Sequence, residues 1–535
     1  MQQALLWLSL AAAASAAASA AAAAAAASVG GSLRRLGGYE RLLSRKTPGT
    51  DSLSLSHGAS FILNQSVDEG ILVKAVALSM ARHPMLRVCI NGEGEFAYCE
   101  EKDLTRLARR VVKTMQTDSV DLTGVWKHEL ERALNDARLE EGGPLWWLVN
   151  VVGGGESAWV FCVNHGIDDQ KSLNIVVKDL TKACRELASL GGEEMGKQQQ
   201  QQQQQQQHAI DSLPFPPSVE EAVAPQPPSF RTLTWALFQL CNALRMPAMV
   251  PTRVLQSMAR DPSLAATLKS PNERKTYVET FILSEDIATK LRNKCRLRGV
   301  TVTSLLSASM LAVTSAAISE GESTEEKRDS LLRFLLSVDL RPFAATSVPD
   351  WAFGTVACAA GAVDFVVPVG EKVTLRGRNR RNTATETQSD EEIWQLALRC
   401  KSEANWIIEK QQWVQESVRL FGLGMQFADV LKVVELDAAS GSLGRGFSCG
   451  VSNMGLASFG DAETTANSSP PLAVKRAYYG TSHSRNGVLC QLSCMTVGAS
   501  GDFCGCLQFT DPLIPPHEGK RIAAALQRLL VELAD

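Results

Sequence analysis

The chain contains no C-x-x-C pair, although it holds thirteen cysteines between Cys89 and Cys506. An odd count without that spacing argues against structural zinc and against a disulfide framework. Several of the cysteines, Cys162, Cys358 and Cys490 among them, sit in apolar segments, so free buried thiols in a reducing compartment are expected. Charge of one sign is also lacking. With 54 Lys and Arg against 57 Asp and Glu, the net charge of −3 gives no reason to expect nucleic acid or an anionic surface as partner. Metal-ligand clusters are absent, and no metal site is expected.

No Lys or Arg precedes Arg34, so the opening residues lack the basic n-region of a secretory signal. An apolar start is followed by an alanine-serine tract to Ser28, long enough to span a bilayer but poor in transfer energy compared with leucine. Residues 1–30 read first as a low-complexity tail and second as a targeting or membrane-associating segment. The expected location is cytoplasmic, with membrane attachment or organelle targeting as the alternative that this segment leaves open. No other stretch resembles a membrane span.

What is present is ordinary globular composition, 45% hydrophobic and 21% charged. Gly191–Glu194 leads into ten consecutive glutamines, Gln198 to Gln207, and six prolines fall between Pro214 and Pro228. Such a stretch cannot offset its ordering entropy by apolar burial, and a disordered linker is expected over 191–230. It divides an N-terminal lobe, 31–190, from a C-terminal lobe, 231–535.

Both lobes mix α and β signals. Helical spacing marks Asp68–Arg82 and Trp126–Leu139; paired apolar runs mark hairpins at Leu86–Cys99 and Leu145–Val163. In the second lobe, strands are expected at Tyr277–Leu283, Leu331–Leu340, Val356–Val369, Phe447–Val451, Val474–Tyr479, Val488–Val497 and Cys504–Phe509. Helices are expected at Ser284–Arg296, Thr301–Ile318, Trp394–Glu416 and Arg521–Leu533. The polar inserts Glu371–Glu391 and Phe459–Pro471 read as surface loops. The fold class is α/β with mixed sheets.

The chemistry concentrates in Asn164-His165-Gly166-Ile167-Asp168-Asp169-Gln170-Lys171-Ser172, an H-x-x-x-D placed where an apolar strand ends and a helix begins. Of seven histidines, His165 alone stands at a strand end between ordered apolar segments, and imidazole titrates near neutrality unaided. Attack of a hydroxyl or amine on a thioester carbonyl requires one base, an oxyanion stabiliser and alignment, but no metal. A positioned base supplies ~10²–10⁴-fold, the remainder coming from holding two substrates together. Asp168 or Asp169 is placed to cap the following helix. His483, between two strands in a polar segment, reads as a solvated loop residue.

The segment resembles the H-H-x-x-x-D-G-x-S signature of the chloramphenicol-acetyltransferase-like superfamily, which includes condensation domains and alcohol acetyltransferases. Leu36-Gly37-Gly38-Tyr39-Glu40, Arg82-His83-Pro84-Met85-Leu86-Arg87, Pro144-Leu145-Trp146, Gly299–Thr303, Val338-Asp339-Leu340-Arg341 and Val451-Ser452-Asn453-Met454-Gly455 resemble further family segments in the same order. The alcohol acetyltransferases are the branch it is most similar to. The resemblance implies two acyltransferase lobes forming a V around a central channel, with acetyl-CoA or acyl-CoA as co-substrate and no permanently bound cofactor. It implies His165 as general base, Asp169 as a structural ion-pair member with Arg341 as its candidate partner, and Asn164, Ser452 and Asn453 lining the substrate path. Two departures stand out: Asn164 replaces the first family histidine and Gln170 the family glycine. The implied function is an O-acyltransferase acting on a small alcohol or amine. The alternatives are a condensation-type domain taking carrier-protein thioesters and a catalytically inactive homologue that binds.

Overall fold

The computed structural model describes residues 32–44, 56–91, 94–118, 122–135, 142–189, 215–224, 230–245, 273–318, 330–345, 356–369, 383–409, 414–420, 422, 443–460, 472–484 and 487–535. The expectations for residues 1–30, 136–139, 191–214, 225–229, 371–382, 410–413 and 461–471 lie outside them.

The described chain opens with β1 (Ser32–Arg35), α1 (Gly38–Ser44), β2 (Ser56–Leu63), α2 (Glu69–Arg82), β3 (Val88–Ile90) and β4 (Glu95–Tyr98). There follow α3 (Leu104–Val111), β5 (Val112–Gln116), α4 (Leu122–Asn135), β6 (Trp146–Gly153), β7 (Glu156–Asn164) and α5 (Gln170–Ser189). Next come α6 (Val219–Val223), α7 (Phe230–Arg245), β8 (Lys275–Leu283), α8 (Glu285–Leu297), α9 (Val302–Ile318), β9 (Ser330–Asp339) and β10 (Ala360–Val369). The chain ends with α10 (Thr383–Ile408), β11 (Arg445–Ala457), β12 (Val474–Thr481), β13 (Gly487–Val497), β14 (Phe503–Asp511) and α11 (Pro516–Ala534). The fold is mixed α/β, as expected.

Local chemistry accounts for the boundaries near the site. Asp68 caps α2 by accepting from the Ile71 amide at 3.1 Å, and Pro84 ends it. The β6–β7 hairpin turns on Gly154 and Gly155, both at positive φ (60° and 81°), the backbone that a two-residue hairpin loop requires. Thr301 caps α9 by accepting from the Ser304 amide at 3.0 Å. That helix is buried continuously from Ser304 to Ser315, so it runs through the core of the second half.

Among the described residues the strands form three sheets. A six-stranded sheet has the order β10-β9-β11-β13-β14-β8, and a small one the order β1-β4-β3. The sheet carrying the motif has the order β12-β2-β7-β6-β5. β7 lies inside it between β2 and β6 and is buried from Ser157 to Asn164. Strand β12 comes from the part of the chain assigned to the C-terminal lobe, yet it pairs antiparallel with β2, Thr481 opposite His57 and Tyr479 opposite Ala59. Periodicity identifies a strand but not its partner. Covering the edge of β2 removes a row of unpaired backbone groups.

Three further differences have physical causes. The expected disorder of 191–230 does not hold for 215–224: Ser218 and Glu221 form a reciprocal capping box, and Val219, Ala222 and Val223 are buried. Phe215 packs against Phe96, and Arg34 bonds the Pro216 carbonyl at 2.9 Å. The expected loop 371–391 overlaps α10, whose polar first part reads as loop by composition but carries an i,i+4 Gln395–Glu391 bond at 2.9 Å. Phe459, expected in a surface insert, is buried edge-on against Phe61.

Among the described residues twelve cysteines are free thiols, and all but Cys89 are buried. No single described helix is long and apolar enough to cross a membrane.

Candidate active site

At the end of β7 the chain reverses in a short turn. Asn164 is buried, and its Oδ1 accepts from the Gly166 amide at 3.0 Å while its carbonyl accepts from the Ile167 amide at 3.0 Å. Asn164 therefore holds the turn that presents His165. From Ser157 to Gln170 every residue is buried except His165, which is half-buried. The turn is tight against α1: a Cβ on Gly166 would coincide with Ser44 Oγ and lie 3.0 Å from the Glu40 carbonyl.

His165 Nδ1 donates to the Asp168 carbonyl at 2.7 Å. A carbonyl can only accept, so the neutral ring carries its proton on Nδ1 and leaves the Nε2 lone pair free to take one. Burial, and next to it the neighbouring His57 ring, holds His165 below the ordinary imidazole value. The neutral base is therefore the resident form at neutral pH.

Asp169 is held on every side. Its carboxylate receives Arg341 Nη1 at 2.8 Å and Nη2 at 3.1 Å, the Ser172 amide at 2.9 Å and the Ala359 amide at 3.0 Å. Burial works to raise its pKa, but the Arg341 charge and these hydrogen bonds prevail and keep it below the usual carboxylate value. Burial by itself would lower Arg341; Asp169 and then Asp339 raise it instead. Arg341 also donates to Asp339 Oδ1 at 3.1 Å and to Ser172 Oγ at 2.7 Å, and Lys171 meets Asp339 at 2.8 Å. The Asp169–Arg341 pair expected from the sequence is thus present, joining the motif to the end of β9. Each oxygen of the Asp169 carboxylate thus accepts two hydrogen bonds from the protein itself.

A second histidine, absent from the sequence reading, sits beside the first. His57 on β2 is buried and stacks on His165, ring centroids 5.3 Å apart at an interplanar angle of 29°. Its Nδ1 meets Asp168 Oδ2 at 3.0 Å and its Nε2 meets Gln170 Oε1 at 2.9 Å, while Gln170 Nε2 donates to Asn174 Oδ1 at 2.7 Å. Burial lowers His57 to about 4 and raises Asp168 well above the carboxyl range. The one local signal is the imidazole itself, in Ser56–Leu63, a strand otherwise made of small and apolar residues, and it does not point to a partner.

His483 is not a solvated loop residue. It is buried, its amide bonds Thr276 Oγ1 at 3.0 Å, and its carbonyl accepts from Arg445 at 2.6 Å. Burial, then Arg445, lowers its imidazole to about 3, and His165 contributes to the same shift.

Ser452 and Asn453 lie on β11. The Tyr479 hydroxyl bonds the Ser452 carbonyl at 2.7 Å and its Oγ at 3.2 Å, and the Tyr479 ring meets His57 edge-on at 6.3 Å. Tyr479 thereby gives the six-stranded sheet a further link to the His165 cluster, beside the one that Arg341 makes at the end of β9. Asn453 Nδ2 donates to Thr303 Oγ1 at 3.0 Å, tying β11 to the start of α9.

No protein-family model and no curated protein matches the sequence. Solved structures do. Trichothecene 15-O-acetyltransferase from Fusarium sporotrichioides is 12% identical over 94% of this chain and 95% of that chain, with a TM-score of 0.61. The first condensation domain of the calcium-dependent antibiotic synthetase is 13% identical over 90% of this chain and 91% of that chain, with a TM-score of 0.50. The chain shares its overall fold with both structures.

Proposed function

We propose that the chain is an acyltransferase that moves an acetyl or acyl group from a coenzyme A thioester to a small alcohol or amine. One observation carries the reading: His165 is the half-buried residue of an otherwise buried motif, and with Nδ1 committed to a carbonyl its neutral ring keeps the lone pair on Nε2. The fold it shares with an acetyltransferase supports it.

In this reading Nε2 of His165 takes the proton from the acceptor as its oxygen or nitrogen attacks the thioester carbonyl carbon. The new C–O or C–N bond forms, the carbonyl electrons move to oxygen, and collapse breaks the C–S bond. The imidazolium then returns its proton to the departing sulfur, so free thiol leaves and the neutral base is regenerated. Ser452 and Asn453, on a strand coupled to the cluster through Tyr479, border the donor's side; Asn164 shapes the turn on the acceptor's side. The two large sheets act as two lobes, and the substrates meet between them at His165.

The test is thiol release by the purified chain from acyl-coenzyme A donors of graded length, over a panel of alcohols and amines. A parallel arm offers the same acyl groups on a carrier protein. His165→Ala should lose ~10²–10⁴-fold in rate while keeping its circular dichroism. Equal rates in wild type and variant would refute the base assignment. Release only from the carrier-bound donor would assign the chain to condensation chemistry, and none from any donor would favour a binding role.

A further inference from the structure

His57 reaches the motif from outside it. Its backbone lies on β2 with β12 on one side and β7 on the other, opposite Thr481 and Val163. From that anchor the ring contacts two residues of the connection between turn and helix, Asp168 through Nδ1 and Gln170 through Nε2. We propose that His57 and Gln170 are positioning residues for His165: the His57 ring staples Asp168 to Gln170 and so fixes the Asp168 carbonyl that keeps His165 in its Nδ1–H form.

The donor inventory determines where the protons sit. Gln170 spends its NH₂ on Asn174 Oδ1, so it turns its carbonyl oxygen to His57, and His57 Nε2 must donate. One proton then lies between His57 Nδ1 and Asp168 Oδ2, and the pair carries no net charge whichever atom holds it. Burial places it on Asp168. Asp168 thus has its side chain clamped to a sheet strand and its main-chain oxygen clamped to His165, with one residue between the two rings. Asp169 next to it is fixed independently by Arg341. Removing either clamp on 168–170 frees the carbonyl to rotate, and His165 can then place its proton on Nε2, where it is useless as a base. Gln170 acquires a definite task here, supplying the oxygen that a smaller residue could not.

The inference rests on His165 being the base, but its test does not depend on turnover. Gln170→Met keeps side-chain length and removes the acceptor oxygen; Gln170→Glu keeps an oxygen at the same reach; His57→Phe keeps the ring and removes both bonds. Protein labelled with ¹⁵N-histidine reports the tautomer of each imidazole through its two-bond correlations, the His165 signals being assigned by their loss in His165→Ala. In wild type and Gln170→Glu, His165 should be the Nδ1–H form. In Gln170→Met and His57→Phe it should become a mixture of tautomers. Where wild type transfers acyl groups, kcat in those two variants should fall roughly 10-fold, part of the whole base's ~10²–10⁴, with KM unchanged. An unaltered Nδ1–H signal in both variants, each with native circular dichroism, overturns the proposal. A wild type that transfers nothing, with the tautomer shift still seen in Gln170→Met and His57→Phe, removes the acyltransferase reading and leaves the staple standing.

Discussion

Arg341 holds Asp169 with both ends of its guanidinium, Nη1 to Oδ2 at 2.8 Å and Nη2 to Oδ1 at 3.1 Å, and both side chains are buried. Such a pair is expensive to break from one side, because the survivor is left as an uncompensated buried charge. Arg341→Ala should cost about 3–5 kcal/mol of stability, read from denaturant unfolding. Adding Asp169→Asn should restore part of that loss, since a neutral amide needs no counter-ion. A double variant no more stable than the single one would show that the charge is not what matters at this site. Arg341→Lys should also destabilise, because an ammonium cannot make the two parallel bonds.

The Asp169–Arg341 pair was legible because the family resemblance implied an arginine partner for Asp169, and Arg341 stands out as a cation at a strand end. His57 was not, because nothing in Ser56–Leu63 announces that its partners lie more than a hundred residues away. The same limit hid the placement of β12 beside β2 and the burial of His483. Strand character is local, whereas pairing order and solvent exposure are decided by packing of the whole chain. The capping box at Ser218–Glu221 is a different case: it is local, but it lies among prolines and glutamines whose composition reads as a linker.

Gly166 marks a close approach that a side chain would destroy. A Cβ there would coincide with Ser44 Oγ and press on the Glu40 carbonyl, so the turn or α1 must move. Gly166→Ala should therefore cut the acyl-transfer rate by more than ~10-fold through displacement of His165, since sub-ångström alignment governs such steps. Gly166→Ala combined with Ser44→Gly, which removes the colliding hydroxymethyl group, should recover most of the rate. Failure of the second change to help would mean that α1 is not the obstacle.

The pH dependence of turnover follows from the environment of His165. In the proposed mechanism the active form is the neutral ring, so activity should be lost as pH falls and the ring takes a proton. Burial first, and His57 second, hold His165 below the ordinary value of 6.5, so its protonation begins only at lower pH. The acidic limb of kcat/KM should have its midpoint under 6.5 and a slope of one. A midpoint at or above 6.5 in the free protein would contradict the assignment of His165 as the titrating base.

His483 makes a separate, thermodynamic prediction. Its imidazole is buried beside Arg445 and lowered from 6.5 to about 3, so between those limits the unfolded chain binds a proton that the folded chain refuses. Stability must then rise with pH through this window, and acidification must withdraw it. At pH 5 the gap of 1.5 units below 6.5 corresponds to about 2 kcal/mol lost relative to neutral pH from this residue alone. His57 has the same sign, but Asp168, raised in the folded state, opposes it, so His483 is the cleaner probe. His483→Asn keeps a small polar side chain and cannot titrate. Denaturant unfolding at pH 7 and pH 5 should show that the variant loses about 2 kcal/mol less than wild type on acidification, whatever its stability at neutral pH. Parallel losses in the two proteins would mean that the His483 ring is protonated as readily in the folded chain as in the unfolded one.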